Sequence, residues 1–354
     1  MHALDDPETY ARLDPDDLRG RIAGLPQQCR DAWSRARAFP FPPRFAEAER
    51  IVVLGMGGSA IAGDILRSLA SRSSRKPVLV HRGYDLPPLA DDERALVVAS
   101  SKSGDTEEVL SSFGRALETP SQKLVMTTGG RLLDIARERG IAAYTFEYAG
   151  EPRSALGHSL MPLLVLGELA GVLPSQKEAV AESIALMEEM RGEIGVDVPF
   201  ERNEAKQLAS RLTGKLPVVY GGEWLAEAAH RWKTQLNENG KVWAFYEELS
   251  EANHNAIEGY GLPREVSEKA HVVFLYHPKL NPRIILRING THDALAAAGV
   301  SDDKVIVRGD SELARVLTAI FFGDHASYYV AMLNGVRPSP VTSIQHLKGW
   351  LAEK

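Results

Sequence analysis

The stretch IVVLGMGGSAIAGDIL, residues 51–66, decides the fold. A short apolar run meets three closely spaced glycines, Gly55, Gly57 and Gly58, and Ile61, Ile65, Leu66 and Leu69 then recur at helical spacing. An apolar strand passing through glycines into an amphipathic helix opens a βαβ unit. KPVLVHR (76–82), RALVVASSKSG (94–104) with EEVLSSFGRAL (107–117), QKLVMTTGG (122–130) with RLLDIARERG (131–140), and IAAYTFEY (141–148) continue the alternation. The pattern predicts an α/β fold built on a doubly wound, mostly parallel sheet flanked by helices.

The second half repeats the theme. LPVVYGG (216–222) ends in a glycine pair and leads into EWLAEAAHRWKTQLNEN (223–239). KVWAFYEEL (241–249), KAHVVFLYH (269–277) and DKVIVRG (303–309) supply further strands, and ELARVLTAIFFGDHASYYVAMLNG (312–335) reads as a long helix or helix pair. At about 150 residues per domain, 354 residues predict about two domains. The expected division is a helical segment at 1–45, ended by the prolines of FPFPPRF, then subdomains at 46–150 and 151–354, with the same plan in each half.

Composition excludes several classes. A net charge of −6 argues against a nucleic-acid partner, which wants a basic face. Cys29 is the only cysteine, so neither an internal disulfide nor a cysteine zinc site is expected. The apolar stretch Ala155–Leu173 contains His158, Pro162, Glu168 and three glycines, which makes it a buried helix rather than a membrane span. The acidic, proline-broken opening MHALDDPETYARLDPDD does not read as a secretory signal. A cytoplasmic protein with no membrane partner is expected.

The strand-to-helix junctions carry the binding chemistry, because free N–H groups and the helix dipole attract anions there. At the first, Gly57, Gly58 and Ser59 form a tight turn in which Ser59 can cap the helix and donate to a phosphate. Gly55, Gly57 and Ala60 also satisfy a loose dinucleotide pattern, with Arg82 placed for an NADP phosphate. At the second, Ser100, Ser101, Ser103 and Thr106 crowd four hydroxyls beside Lys102 and Gly104. A helix cap needs only one hydroxyl, so the surplus points to an anion pocket. Thr127-Thr128-Gly129-Gly130 ends a third strand as a plain turn or as another wall of that pocket.

Acid–base candidates lie in the second half. Leu225, Ala228, Trp232 and Leu236 form a buried stripe, and the helix ends at Asn237-Glu238-Asn239-Gly240. A carboxylate at the negative end of a helix dipole takes up a proton readily, which suits Glu238 to proton abstraction beside a carbonyl; its plain alternative is an ion pair with Lys241. Sixteen residues on, His254 stands between Asn253 and Asn255, whose amides can fix its tautomer. Arg153, in GEPRSALG, follows a proline at the expected subdomain junction and either faces a cleft or pairs on the surface, and Lys348 lies near the end of a C-terminal helix. Neither an H-x-x-x-H pair nor an HEXXH motif occurs, so no metal is expected.

In order, GMGGSAIAGD, SSKSGDTEEVL, TTGGRL, EPRSALG, RWKTQLNENGK and EANHN resemble the bifunctional phosphoglucose/phosphomannose isomerases, built from two sugar isomerase (SIS) domains. The resemblance runs from about residue 50 to the C-terminus, and the pairing of NENxK with NHN is its most specific part. It implies interconversion of fructose 6-phosphate with glucose 6-phosphate and mannose 6-phosphate through a cis-enediol, without metal or cofactor. Carried over by motif, Gly57, Gly58, Ser59, Ser101, Ser103 and Thr106 hold the hexose 6-phosphate. Glu238 is the base, Arg153 stabilises the intermediate, and Lys348 is a second proton-transfer group. His254 assists ring opening from the neighbouring subunit of a homodimer. The sequence departs from the family in reading SKSGDT for SYSGNT, which puts Lys102 and Asp105 beside the phosphate loop, and in Gly240 where alanine is common. The rival readings are a noncatalytic SIS sensor of sugar phosphates and an NADP-binding oxidoreductase.

Overall fold

The computed structural model describes residues 2–354. The chain opens with helices α1 (Pro7–Leu13), α2 (Leu18–Ala23) and α3 (Leu25–Ala38). Side-chain caps place the first two: Asp6 accepts from the Glu8 N–H at 3.0 Å, and Asp14 from the Leu18 N–H at 2.8 Å. The proline run then ends α3, as expected.

The run at residues 51–54 is apolar throughout, instead of alternating, because both of its faces are covered. It forms β1 (Arg50–Gly55), followed by α4 (Gly57–Ser73), β2 (Val78–His81), β3 (Ala95–Ser100), α5 (Glu107–Ala116), β4 (Gln122–Thr127), α6 (Gly130–Arg139) and β5 (Ala142–Thr145). All strand pairs are parallel, in the order β2-β1-β3-β4-β5. On one face Val52, Leu54, Val97, Ala99 and Val125 meet Val109 and Phe113 of α5 and Leu132 and Ala136 of α6. On the other, Gly63 of α4 lets the helix close on Val53 and Val80, where a Cβ would stand 3.0–3.3 Å from their side chains. Helix α7 (Leu156–Leu169) packs on α3 and α4. It is buried nearly all round, which explains a sequence too apolar for a surface helix. α8 (Lys177–Ile194) follows.

The second sheet starts after α9 (Glu204–Leu212). It contains β6 (Leu216–Gly222), β7 (Phe245–Leu249), β8 (Ala270–Tyr276) and β9 (Ser301–Ile306), all parallel, in the order β7-β6-β8-β9. This matches the order β2-β1-β3-β4, so the two sheets share a winding plan. The connections are α10 (Ala226–Glu238), α11 (Arg264–Ser267) and α12 (Pro282–Ala297). The apolar stretch near the C-terminus is one helix, α13 (Glu312–Leu333), and α14 (Thr342–Ala352) ends the chain. Among the described residues α13 alone is long and apolar enough to cross a membrane, but 94 % of that window is buried in the fold, as in a core helix. Gly323 of α13 leaves room for Trp232, whose indole would lie 2.2 Å from a Cβ there and donates to the Ala319 carbonyl at 2.7 Å.

Two compact units result. The first-sheet unit comprises Gly24–Glu188 and Arg308–Thr318; the second-sheet unit comprises residues 2–23, Glu189–Val307 and Ala319–Lys354. This differs from the division expected at 45 and 150. Residues 24–45 and 151–188 belong with the first sheet because α3 and α7 complete the layer over α4.

Candidate active site

In the first sheet the connection leaving β1 runs to β2 on one side, and that leaving β3 runs to β4 on the other. Gly55 and Ser100 end these adjacent strands in register. Ligands of open parallel sheets bind outside the strand ends at such a switch point. The glycine turn leaves one strand there and the hydroxyl loop leaves the other.

Gly57 begins α4 with φ +50°, a left-handed conformation that favours glycine, and Met56 is the N-cap residue. Ser59 is therefore not the cap. It is the third residue of the helix, and its hydroxyl makes no hydrogen bond among the described residues. A Cβ on Gly58 would lie 3.2 Å from the Pro152 carbonyl oxygen and 3.6 Å from the Arg153 Cα. Glycine thus lets the Pro152–Ser154 turn rest on the loop. Arg153 is only 4 % exposed, so it is not a surface pair.

The hydroxyl loop is tied internally. Ser101 Oγ lies 2.8 Å from Thr106 Oγ1 and 3.4 Å from Ser103 Oγ, and it accepts from the Gly104 N–H at 3.1 Å. Ser103 Oγ accepts from the Asp105 N–H at 3.2 Å. Thr128 donates through both its N–H (3.0 Å) and its hydroxyl (2.8 Å) to the Lys102 carbonyl, and the Leu132 N–H donates to the Gly104 carbonyl at 3.0 Å. The Thr127–Gly130 turn thus holds the hydroxyl loop. Asp105 accepts from the Arg131 N–H in the first turn of α6 at 3.0 Å, so its charge faces a helix N-terminus. Arg82, the candidate for an NADP phosphate, is ion-paired with buried Asp64 of α4.

In the second-sheet unit, Leu225, Ala228, Trp232 and Leu236 are all buried, as expected. Half-buried Glu238 ends α10, held by its neighbours. Buried Asn239 donates to Ser327 Oγ at 3.0 Å, and Asn237 donates to the Val242 carbonyl at 2.8 Å. A Cβ on Gly240 would stand 2.9 Å from the Leu236 carbonyl oxygen and 3.2 Å from Val330. Lys241, at φ +54°, folds its ammonium onto the carbonyls of Glu238, Pro338 and Pro340. A cation already sits at this helix end, so the dipole argument for Glu238 does not carry. Lys241 is the neighbour whose part the sequence did not reveal.

The amides beside His254 do not fix its tautomer, because both are engaged elsewhere. Asn253 donates to Thr291 Oγ1 at 2.7 Å, and Asn255 donates to Glu251 at 2.8 Å. His254 is exposed and makes no hydrogen bond among the described residues. Lys348 is exposed on α14, which buries none of its residues within this chain. The structure therefore gathers Gly57, Gly58, Ser59 and Arg153, and separately Ser101, Ser103 and Thr106. It does not bond Glu238, His254 and Lys348 to one another.

Residues 201–351 match the bacterial phospho-glucose isomerase C-terminal SIS domain. The bifunctional phosphoglucose/phosphomannose isomerase of Caldicellulosiruptor bescii is 35% identical over 94% of this chain and 98% of its own. That of Aquifex aeolicus is 34% identical over 84% and 89%. A D-glucosamine-6-phosphate 4-epimerase of Sulfolobus acidocaldarius is 30% identical over 62% of this chain and 66% of its own. Among solved structures, a glucose-6-phosphate isomerase like protein from Thermus thermophilus aligns with a TM-score of 0.63 at 20% identity, covering 98% of this chain and 99% of its own. Tagatose-6-phosphate ketose/aldose isomerase from Escherichia coli aligns with a TM-score of 0.65 at 15% identity, over 90% and 93%. The structural likenesses establish the fold of sugar-phosphate isomerases. With curated relatives matched along nearly their whole length, this chain belongs to the bifunctional phosphoglucose/phosphomannose isomerase family.

Proposed function

We propose that the protein interconverts fructose 6-phosphate with glucose 6-phosphate and mannose 6-phosphate by proton transfer through a cis-enediol. The observation that carries this reading is the switch point of the first sheet, where the Arg153 turn rests on the glycine loop beside the hydroxyl cluster. Gly57, Gly58 and Ser59 offer the start of α4 to the phosphate, joined by Ser101, Ser103 and Thr106. Glu238 carries the proton between C1 and C2, and a proton moves between O1 and O2 so that the net change is an isomerisation. Arg153 offsets the negative charge that develops on the enediol oxygens. Lys348 serves as the second proton-transfer group. The scheme calls for no metal and no redox cofactor.

The same reading assigns His254 to ring opening in the site of a second copy. Its exposure supports this, as does the apolar face that α14 leaves uncovered with Ile344, Leu347, Trp350 and Leu351.

The test is turnover of fructose 6-phosphate in EDTA, with glucose 6-phosphate and mannose 6-phosphate detected separately. Formation of both is expected. Binding without turnover would make the protein a sensor, and a change at C4 alone would make it an epimerase. Glu238→Gln is expected to remove turnover while leaving the affinity for a sugar phosphate within about twofold, as befits a base in general acid–base catalysis; parallel loss of binding would mark Glu238 as structural.

A further inference from the structure

The turn that carries Arg153 is held by more than it needs to form. Its own 3-10 bonds are present, with Ser154 N–H donating to the Glu151 carbonyl at 3.0 Å and Ala155 N–H to the Pro152 carbonyl at 3.2 Å. Yet the Ser154 carbonyl, one residue past Arg153, receives two further donors. Gln28 Nε2 reaches it from α3 at 2.9 Å, and the Tyr148 hydroxyl reaches it at 3.0 Å while lying 2.9 Å from Ser154 Oγ. The other end of the Gln28 amide accepts from the Gly157 N–H in the first turn of α7 at 2.6 Å. Gly157 permits this approach, because a Cβ there would stand 2.9 Å from Gln28 Oε1. The Tyr148 ring is placed in turn by His158 at 5.2 Å, and His158 stacks on Phe146 at 5.0 Å.

We propose that Gln28 and Tyr148 are positioning residues that fix the Arg153 turn against the glycine loop. A Cβ on Gly58 would stand 3.2 Å from the Pro152 oxygen, so glycine is what lets the turn sit against the loop, and the two donors hold it there. A buried guanidinium stabilises developing charge only from a fixed position, and a misplacement near 1 Å costs up to about 10²-fold in rate. The polar contacts around Ser154 act on that position and make no use of the substrate itself. The inference rests on the proposed role of Arg153.

Tyr148→Phe removes the hydroxyl and keeps the ring on His158; Gln28→Met keeps the length of the side chain without its hydrogen bonds. Each is expected to lower kcat about tenfold with KM for fructose 6-phosphate within about twofold. In an Arg153→Ala background Tyr148→Phe should lower kcat no further, since residues acting through one group are non-additive. Equal fractional losses in both backgrounds, or unchanged kcat in Tyr148→Phe, would overturn the proposal. Should Gln28→Met fail to fold, the Tyr148→Phe pair decides alone. Unchanged kcat in Arg153→Ala itself would instead overturn the role of Arg153, which separates the two failures.

Discussion

At Gly104 the backbone takes φ +75°, and an added Cβ would stand 1.8 Å from the Gly129 carbonyl oxygen. Gly104→Ala must therefore move one loop off the other, at a cost of about 2 kcal/mol or more, visible as a lower urea midpoint. His325 makes a second residue-level case. Burial pushes its pKa down to about 4, and its Nδ1 lies 2.8 Å from the Phe321 carbonyl oxygen, so the neutral ring donates there. The unfolded chain, with an imidazole near pH 6.5, binds the proton that the folded one refuses. Stability from this residue is therefore full above about pH 6.5 and is lost as pH falls toward 4, by about 2–3 kcal/mol between pH 8 and 4.5. His325→Asn should flatten that part of the urea-midpoint profile relative to the parent; identical profiles would show that His325 does not titrate there. The sequence marked the positions of Gly57, Gly58, Ser59 and the serine cluster, because glycine and hydroxyl chemistry is local. It offered Ser59 as a cap, three residues past the actual N-cap Met56, because apolar periodicity begins only at Ile61 and does not locate the first turn.

Helices and strands were legible where their reasons are local. The runs 51–54 and 95–99 are apolar because they are interior parallel strands, and α7 is apolar because it is buried nearly all round. Capping between elements was not legible. Asp105 looked like an added charge beside the phosphate loop, yet its carboxylate accepts from the Arg131 N–H of α6, an element that starts 25 residues later. Asp105→Ala should cost about 1 kcal/mol, the worth of a helix cap, whereas Asp105→Asn should keep most of it. Equal losses would mean that the charge, not the cap, matters. Helix α9 was hidden for a related reason. Buried Lys206 reads as solvent-facing until its ion pair with Asp5, 2.9 Å away and 201 residues earlier, is seen. Gln28 escaped notice likewise, since its partners Ser154 and Gly157 lie 126 and 129 residues downstream.

For the whole molecule, the repeated plan of the halves was readable from alternating apolar runs, and the shared strand orders β2-β1-β3-β4 and β7-β6-β8-β9 give that repetition its physical form. Which helices cover which sheet was not readable, because α3 and α7 reach the first sheet from opposite sides of its sequence. Assembly is the remaining level, and it has a decisive consequence under the proposed reading. If Glu238 and His254 serve one site from two subunits, a mixed dimer of Glu238→Gln and His254→Ala has one doubly damaged site and one intact site. Random pairing makes half of all dimers mixed, so co-expression should restore about one quarter of the parental activity from two inactive variants. Were both residues to serve one site from the same subunit, every site in the mixture would keep a lesion, and activity would stay at the average of the separate variants. Size-exclusion chromatography of the same sample tells dimers that fail to complement from chains that never pair. Recovery therefore tests the subunit that supplies His254 without relying on the magnitude of either single defect.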